Sequence, residues 1–128
     1  MPPWAGTQVW PFTKNGILAN TPNTSGVYVL GTGWTWVYVG ESNDMLRRLL
    51  ELFESPTPCI AKYGGLVFGY ELVPTEGQRL ACQEQLIHEL VPACNQSLGR
   101  TPSSMWAVSI GRVTLLLRSC GPSGRGQI

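Results

Sequence analysis

No apolar run in this sequence approaches the roughly 18 residues that a membrane span requires, and Val113 to Leu117 falls far short, so a soluble chain is expected. The four cysteines, Cys59, Cys82, Cys94 and Cys120, include no C-x-x-C pair, and no secretory signal is read ahead of them. A zinc site is therefore not expected, and the cysteines read as reduced thiols of a cytoplasmic protein, packed as small hydrophobes. No internal repeat is present, which excludes a solenoid or propeller. Acids are missing after Asn95, where Arg100, Arg112, Arg118 and Arg125 stand alone. Such a tail either adds sequence-independent phosphate affinity through counterion release or is simply a solvated terminus.

At 128 residues the chain fits one compact domain, and a hydrophobic share of 43% is enough to build a core. Three segments are expected. Residues 1–23, which carry prolines and tryptophans, read as an amino-terminal arm packing on the domain; 24–95 as the folded core; and 96–128 as a basic, partly flexible extension. Inside the core the balance is acidic, with Arg47, Arg48, Lys62 and Arg79 as the only Lys or Arg residues.

Gly26 to Leu30 (GVYVL) and Thr35 to Val39 (TWVYV) are rich in β-branched and aromatic residues and flank Gly31-Thr32-Gly33, which predicts a β-hairpin. A three-residue loop with Gly33 in the left-handed region pairs Leu30 with Trp34 and Tyr28 with Trp36. Tyr28 and Tyr38 then share a face as diagonal neighbours, roughly 7 Å apart at the backbone. A two- or four-residue loop puts them on opposite faces unless a bulge intervenes.

Ser42, Asn43 and Asp44 read as a helix start, and Leu46, Leu49, Leu50 and Phe53 make a helical stripe over Met45 to Glu54, with Arg48 off the stripe. Leu66-Val67-Phe68 and Tyr70-Glu71-Leu72 predict a third strand between glycines. Thr75-Glu76-Gly77-Gln78 matches a capping box opening a helix that runs to about Leu90 and is closed by Pro92. With Leu80, Leu86, Ile87, Leu90 and Val91 as its apolar face, Gln83 falls near the middle and Glu84 roughly 80° to one side. An inward Gln is either a buried amide satisfied by backbone or part of a site. Beyond Asn95, Met105 to Ile110 and Val113 to Leu117 are candidate strands.

Gly26-Val27-Tyr28, nine residues, then Tyr38-Val39-Gly40 resembles the signature of the GIY-YIG nuclease superfamily. The likeness continues through Gly40 to Leu49, where the family's essential arginine matches Arg48, and through Gln83 to Ile87 with Pro92 and Asn95, which resembles the family's glutamate-bearing helix. It covers Ser25 to Asn95.

The resemblance implies an α+β fold, a small central antiparallel sheet of about three strands flanked by helices, and a metal-dependent DNA endonuclease using Mg²⁺ or Mn²⁺. Phosphodiester hydrolysis needs an oriented water, a cation opposite the developing phosphoryl charge and help for the leaving oxygen. On the resemblance, Tyr28 acts as base or water-positioner with its proton affinity lowered by Arg48 and the metal, Tyr38 holds phosphate or water, and Arg48 clamps phosphate oxygens. Gly26 and Gly40 support the site, with Gly40 allowing a tight turn, and Asn95 is a structural hydrogen bonder. Arg47, Lys62 and Arg100 are further candidate DNA contacts. The family's metal-binding glutamate aligns with Gln83, a poorer ligand for a hard dication. Glu84 is the adjacent candidate ligand, brought in by a helix rotation or π-bulge. The alternative is a catalytically impaired domain that binds nucleic acid without cleaving it.

Overall fold

The computed structural model describes residues 8–95, so the readings placed on the tail, Arg100 and Cys120 included, lie outside the described residues. Four strands, β1 (Trp10–Pro11), β2 (Gly26–Gly31), β3 (Trp36–Ser42) and β4 (Val67–Leu72), form one antiparallel sheet in the order β1-β4-β2-β3. Four helices flank it, α1 (Lys14–Asn20), α2 (Met45–Glu54), α3 (Pro58–Ala61) and α4 (Glu76–Leu90). The architecture is α+β, with a two-residue strand added to the three expected from sequence. Trp10 fastens that strand, stacking on Tyr70 with ring centroids 5.3 Å apart.

The central strand β2 is buried on both faces, which explains its unbroken apolar run. Val27 and Val29 point with Val39 and Val73 toward Cys82, Leu86 and Leu90 of α4. Tyr28 and Leu30 point the other way, into a cluster with Phe12, Ile17, Met45, Leu49, Leu52, Ile60 and Phe68, supplied largely by α1, α2 and α3. The sheet therefore separates two small cores, and the site residues must be read by face.

The hairpin register differs from the one predicted. Thr32 to Thr35 form a four-residue loop closed by Thr32 N–H donating to the Thr35 carbonyl, with the Thr32 hydroxyl accepting from Trp34 and Thr35 N–H. Gly31 pairs with Trp36, and Gly33 does not enter the left-handed region. A bulge then inserts Val37, so that Leu30 faces Tyr38 and Tyr28 faces Gly40. Four loop residues alone would have reversed the faces; the bulge reverses them back.

The cysteines also depart from expectation. Cys59 and Cys94 form a disulfide across 35 residues, and no described cysteine is free. The cause lies after α4. Val91 takes a left-handed conformation (φ 48°), unusual for a β-branched residue, and turns the chain along the outer edge of β3. There Ala93 and Cys94 N–H donate to the Trp36 and Val37 carbonyls, bringing Cys94 to α3. Disulfides are rare in reduced compartments, so the cysteines no longer argue for a cytoplasmic protein. No helix among the described residues is long and apolar enough to cross a membrane.

Candidate active site

Tyr28 is the largest fully buried side chain, with 1% of its surface exposed. Its ring lies across Gly40, where a Cβ would fall inside the phenol. Gly40 is thus required as empty space, whereas the expected role in a tight turn is not what the backbone uses. Gly26 plays a similar part, since a Cβ there would strike the Glu71 carbonyl and the Met45 thioether. Tyr38 is half-buried on the same face, its ring centroid 6.3 Å from that of Tyr28.

Helix α2 begins where sequence placed it, with the Asp44 carboxylate accepting from Arg47 N–H at 3.2 Å. Its buried residues are Met45, Leu49 and Leu52, while Phe53 is exposed. That turns the helix relative to the expected stripe. Arg48 comes about 65° from the middle of the buried side, at 100° per residue, rather than opposite it. It is half-buried, and its charge acts on the Tyr28 phenol. One Arg48 N–H also donates to Glu51 at 3.3 Å.

Burial pushes the Tyr28 phenol well above its ordinary value, with Tyr38 and Glu41 adding to the rise and Arg48 opposing it. Arg48 pulls the proton affinity of Tyr28 down, as expected of it, and desolvation is the larger effect. Arg48 is also shifted upward: burial pulls down, and Tyr28 and Glu51 outweigh it.

The other side of the β3 edge carries α4. Thr75 caps it by accepting from Gln78 N–H, and its hydroxyl donates to the Gln78 side chain, so the return bond goes to the side chain and not to a backbone N–H. The buried stripe runs through Arg79, Cys82, Leu86 and Leu90, with Leu80 exposed. Gln83 therefore sits at the margin of the buried face, half-buried, and Glu84 about 155° from its middle, exposed beside Ala81, Gln85 and His88. No π-bulge brings Glu84 around.

Sequence reasoning missed an ion pair at this edge. Glu41, at the end of β3, accepts from Arg79 Nε at 2.8 Å, and Arg79 also donates to the Pro74 carbonyl. Only 9% of the Arg79 side chain is exposed, against 24% for Glu41. The partners stand 38 residues apart, and no spacing rule links them.

Asn95 clamps the same edge, its side chain accepting from Val39 N–H at 2.7 Å and donating to the Val39 carbonyl at 3.0 Å. Arg47 is exposed and paired with Glu51 and Asp44, and Lys62 is exposed after α3. The structure thus brings together Tyr28, Tyr38, Arg48 and Gly40, places Glu41 with Arg79 on the α4 face of the sheet, and leaves Glu84 and Lys62 apart.

This sheet, with two tyrosines and an arginine on one face and a long helix across the other, has a GIY-YIG-like α+β fold. Three of the solved structures it resembles are forms of the GIY-YIG N-terminal endonuclease domain of UvrC from Thermotoga maritima. A tyrosine point mutant bound to its catalytic divalent cation is 20% identical, covering 66% of this chain and 94% of that one with a TM-score of 0.55. An asparagine point mutant, also cation-bound, is 20% identical over 62% and 90%, TM-score 0.53. The magnesium-bound domain is 20% identical over 62% and 91%, TM-score 0.52. Identity this low establishes fold alone. No family model and no curated protein matches the sequence.

Proposed function

We propose that the domain acts on the phosphodiester backbone of DNA as an endonuclease through Tyr28, Tyr38 and Arg48. The observation that carries this reading is the meeting of the two phenols and the Arg48 guanidinium beside Gly40. A phenol hydroxyl is a hydrogen-bond donor, so Tyr28 and Tyr38 would address phosphoryl oxygens. Arg48, always charged, opposes the negative charge that grows there during in-line attack.

The donor set does not fit a dication held by the protein. Gln83 offers a neutral oxygen at the family's carboxylate position, Glu84 faces away, and Glu41 already holds a guanidinium. Among the described residues no three His, Cys, Asp or Glu side chains come together. No step here is routed through a metal, and Mg²⁺ or Mn²⁺ enters the test as an addition.

Those same facts favour a second reading, in which the domain binds nucleic acid without cleaving it. Labelled single-stranded, duplex and branched DNA, incubated with EDTA, Mg²⁺ or Mn²⁺, separates the two. Cleavage products support the endonuclease; salt-dependent binding with intact DNA in every condition supports binding alone. Cleavage that appears only in Gln83→Glu also favours the second reading.

A further inference from the structure

Tyr38 shares a face with Tyr28 only because Val37 is an extra residue in β3, so the bulge decides whether the two phenols meet. A bulged residue has no partner in the ladder, and its carbonyl must be satisfied from elsewhere. Here that carbonyl accepts from Cys94 N–H at 2.8 Å, outside the sheet. The same segment holds the positions on either side. Ala93 N–H donates to the Trp36 carbonyl at 3.1 Å, and the Asn95 side chain takes the Val39 N–H and gives to the Val39 carbonyl. Residues 93–95 therefore form a strap along the outer edge of β3 that brackets Tyr38. Its one covalent anchor among the described residues, besides the chain itself, is the bond from Cys94 to Cys59 of α3, a helix fixed in turn by the fully buried Ile60. Tyr28 needs no such support, since it lies in the central strand and is buried under Gly40.

We infer that the Cys59–Cys94 disulfide positions Tyr38, and that its reduction by a dithiol frees the strap, loosens the bulge and weakens the hold of the site on phosphate. The consequence for DNA rests on the endonuclease reading, while the link from disulfide to bulge does not. Both cysteines are half-buried, within reach of a small dithiol. One thiolate of the dithiol attacks a sulfur of the bridge, and the S–S bond breaks to give a mixed disulfide. The second thiolate then closes the reagent into its own cyclic disulfide. Two electrons and two protons pass to the protein, leaving Cys59 and Cys94 as thiols. What remains on the Val37 carbonyl is a single backbone hydrogen bond from a strap held only by its neighbours in sequence and the Asn95 clamp.

The test uses the full chain, oxidised and after dithiothreitol, beside the double variant Cys59→Ser with Cys94→Ser and the variant Tyr38→Phe. Amide hydrogen exchange needs no DNA. Val39 N–H should exchange at least about tenfold faster after reduction and in the double variant, while the amides of β2 keep their protection. DNA affinity and single-turnover cleavage follow. Reduction should cost the wild type about tenfold, as losing one hydrogen bond to a charged group does, and oxidised glutathione should restore it. The double variant, which keeps Cys82 and Cys120, should already stand at the reduced level and not respond to dithiothreitol. Tyr38→Phe should lose nothing further on reduction, a coupling that a bridge serving stability alone would not show. Unchanged protection at Val39, a general loss of protection through β2, equal affinity and cleavage in both redox states, or a loss on reduction that persists in Tyr38→Phe would overturn the positioning role and leave the endonuclease standing. Faster exchange at Val39 alone, with DNA neither bound nor cut in any state, would uphold the link from bridge to bulge and overturn the endonuclease reading.

Discussion

The two sides of the β3 edge are built from different kinds of information. On the α2 side, Tyr28, Tyr38 and Arg48 lie within one hairpin and the helix that follows, and their meeting is fixed by local rules plus one bulge. On the α4 side, Glu41, Arg79 and Gln83 come from segments far apart in the chain, and their arrangement depends on how α4 is rotated over the sheet. On the proposed reading, the first side engages phosphate. The second decides the charge balance, and there the carboxylate stands on the strand, paired with a buried arginine, while the helix offers an amide. The lesson is that one side of this edge is set by neighbours in sequence and the other by packing between distant segments.

The strongest way to break this contrast is Arg48→Ala, expected to reduce cleavage by about 100- to 1000-fold, as loss of a charge-stabilising donor does. Single-turnover cleavage of labelled duplex measures it, and a loss under tenfold would make the α2 side dispensable.

Next is the tether of the β3 edge. Cys94→Ser should lower unfolding stability by about 2–4 kcal/mol in urea, because the bridge closes a long loop. An unchanged midpoint would mean that the Asn95 clamp and the two backbone bonds hold the edge by themselves.

A smaller effect concerns pH. Burial raises Tyr28 above the ordinary phenol value of 10.0, so the unfolded chain loses this proton first. Its contribution is complete below about pH 10 and is lost as pH rises toward the folded value, at about 1.4 kcal/mol per pH unit. Stability measured against pH should fall less steeply above pH 10 in Tyr28→Phe, and identical slopes would contradict the burial of the phenol. Smallest of all is Glu84→Gln, expected to change stability by less than about 0.5 kcal/mol and DNA affinity not at all. A measurable loss of either would bring Glu84 into the site.

Much of the fold is legible in the sequence because its cues are local. The Asp44 and Thr75 caps, the β-branched hairpin and the run around Phe68 each announce an element within a few residues. What stays hidden is long-range. The Val37 bulge leaves no mark beyond one residue of register, yet it decides which face Tyr38 takes. Leu80 is exposed and Arg79 buried because Glu41 waits for the guanidinium across the sheet edge, so a hydropathy wheel turns α4 the wrong way. The Cys59 to Cys94 bridge follows from a left-handed Val91, which no pattern predicts. The site residues of the hairpin and α2 are legible from motif order; the Glu41–Arg79 pair behind them is not.

The most direct measurement is DNA binding by fluorescence anisotropy for Arg48→Ala beside Arg47→Ala, neighbours on one helix with the same charge. Arg48 faces the buried phenol and Arg47 is exposed and paired with acids. Arg48→Ala should weaken binding at least tenfold and Arg47→Ala by less than about threefold. Equal losses would mean that DNA is held by general surface charge and not by the pocket of two phenols and one guanidinium.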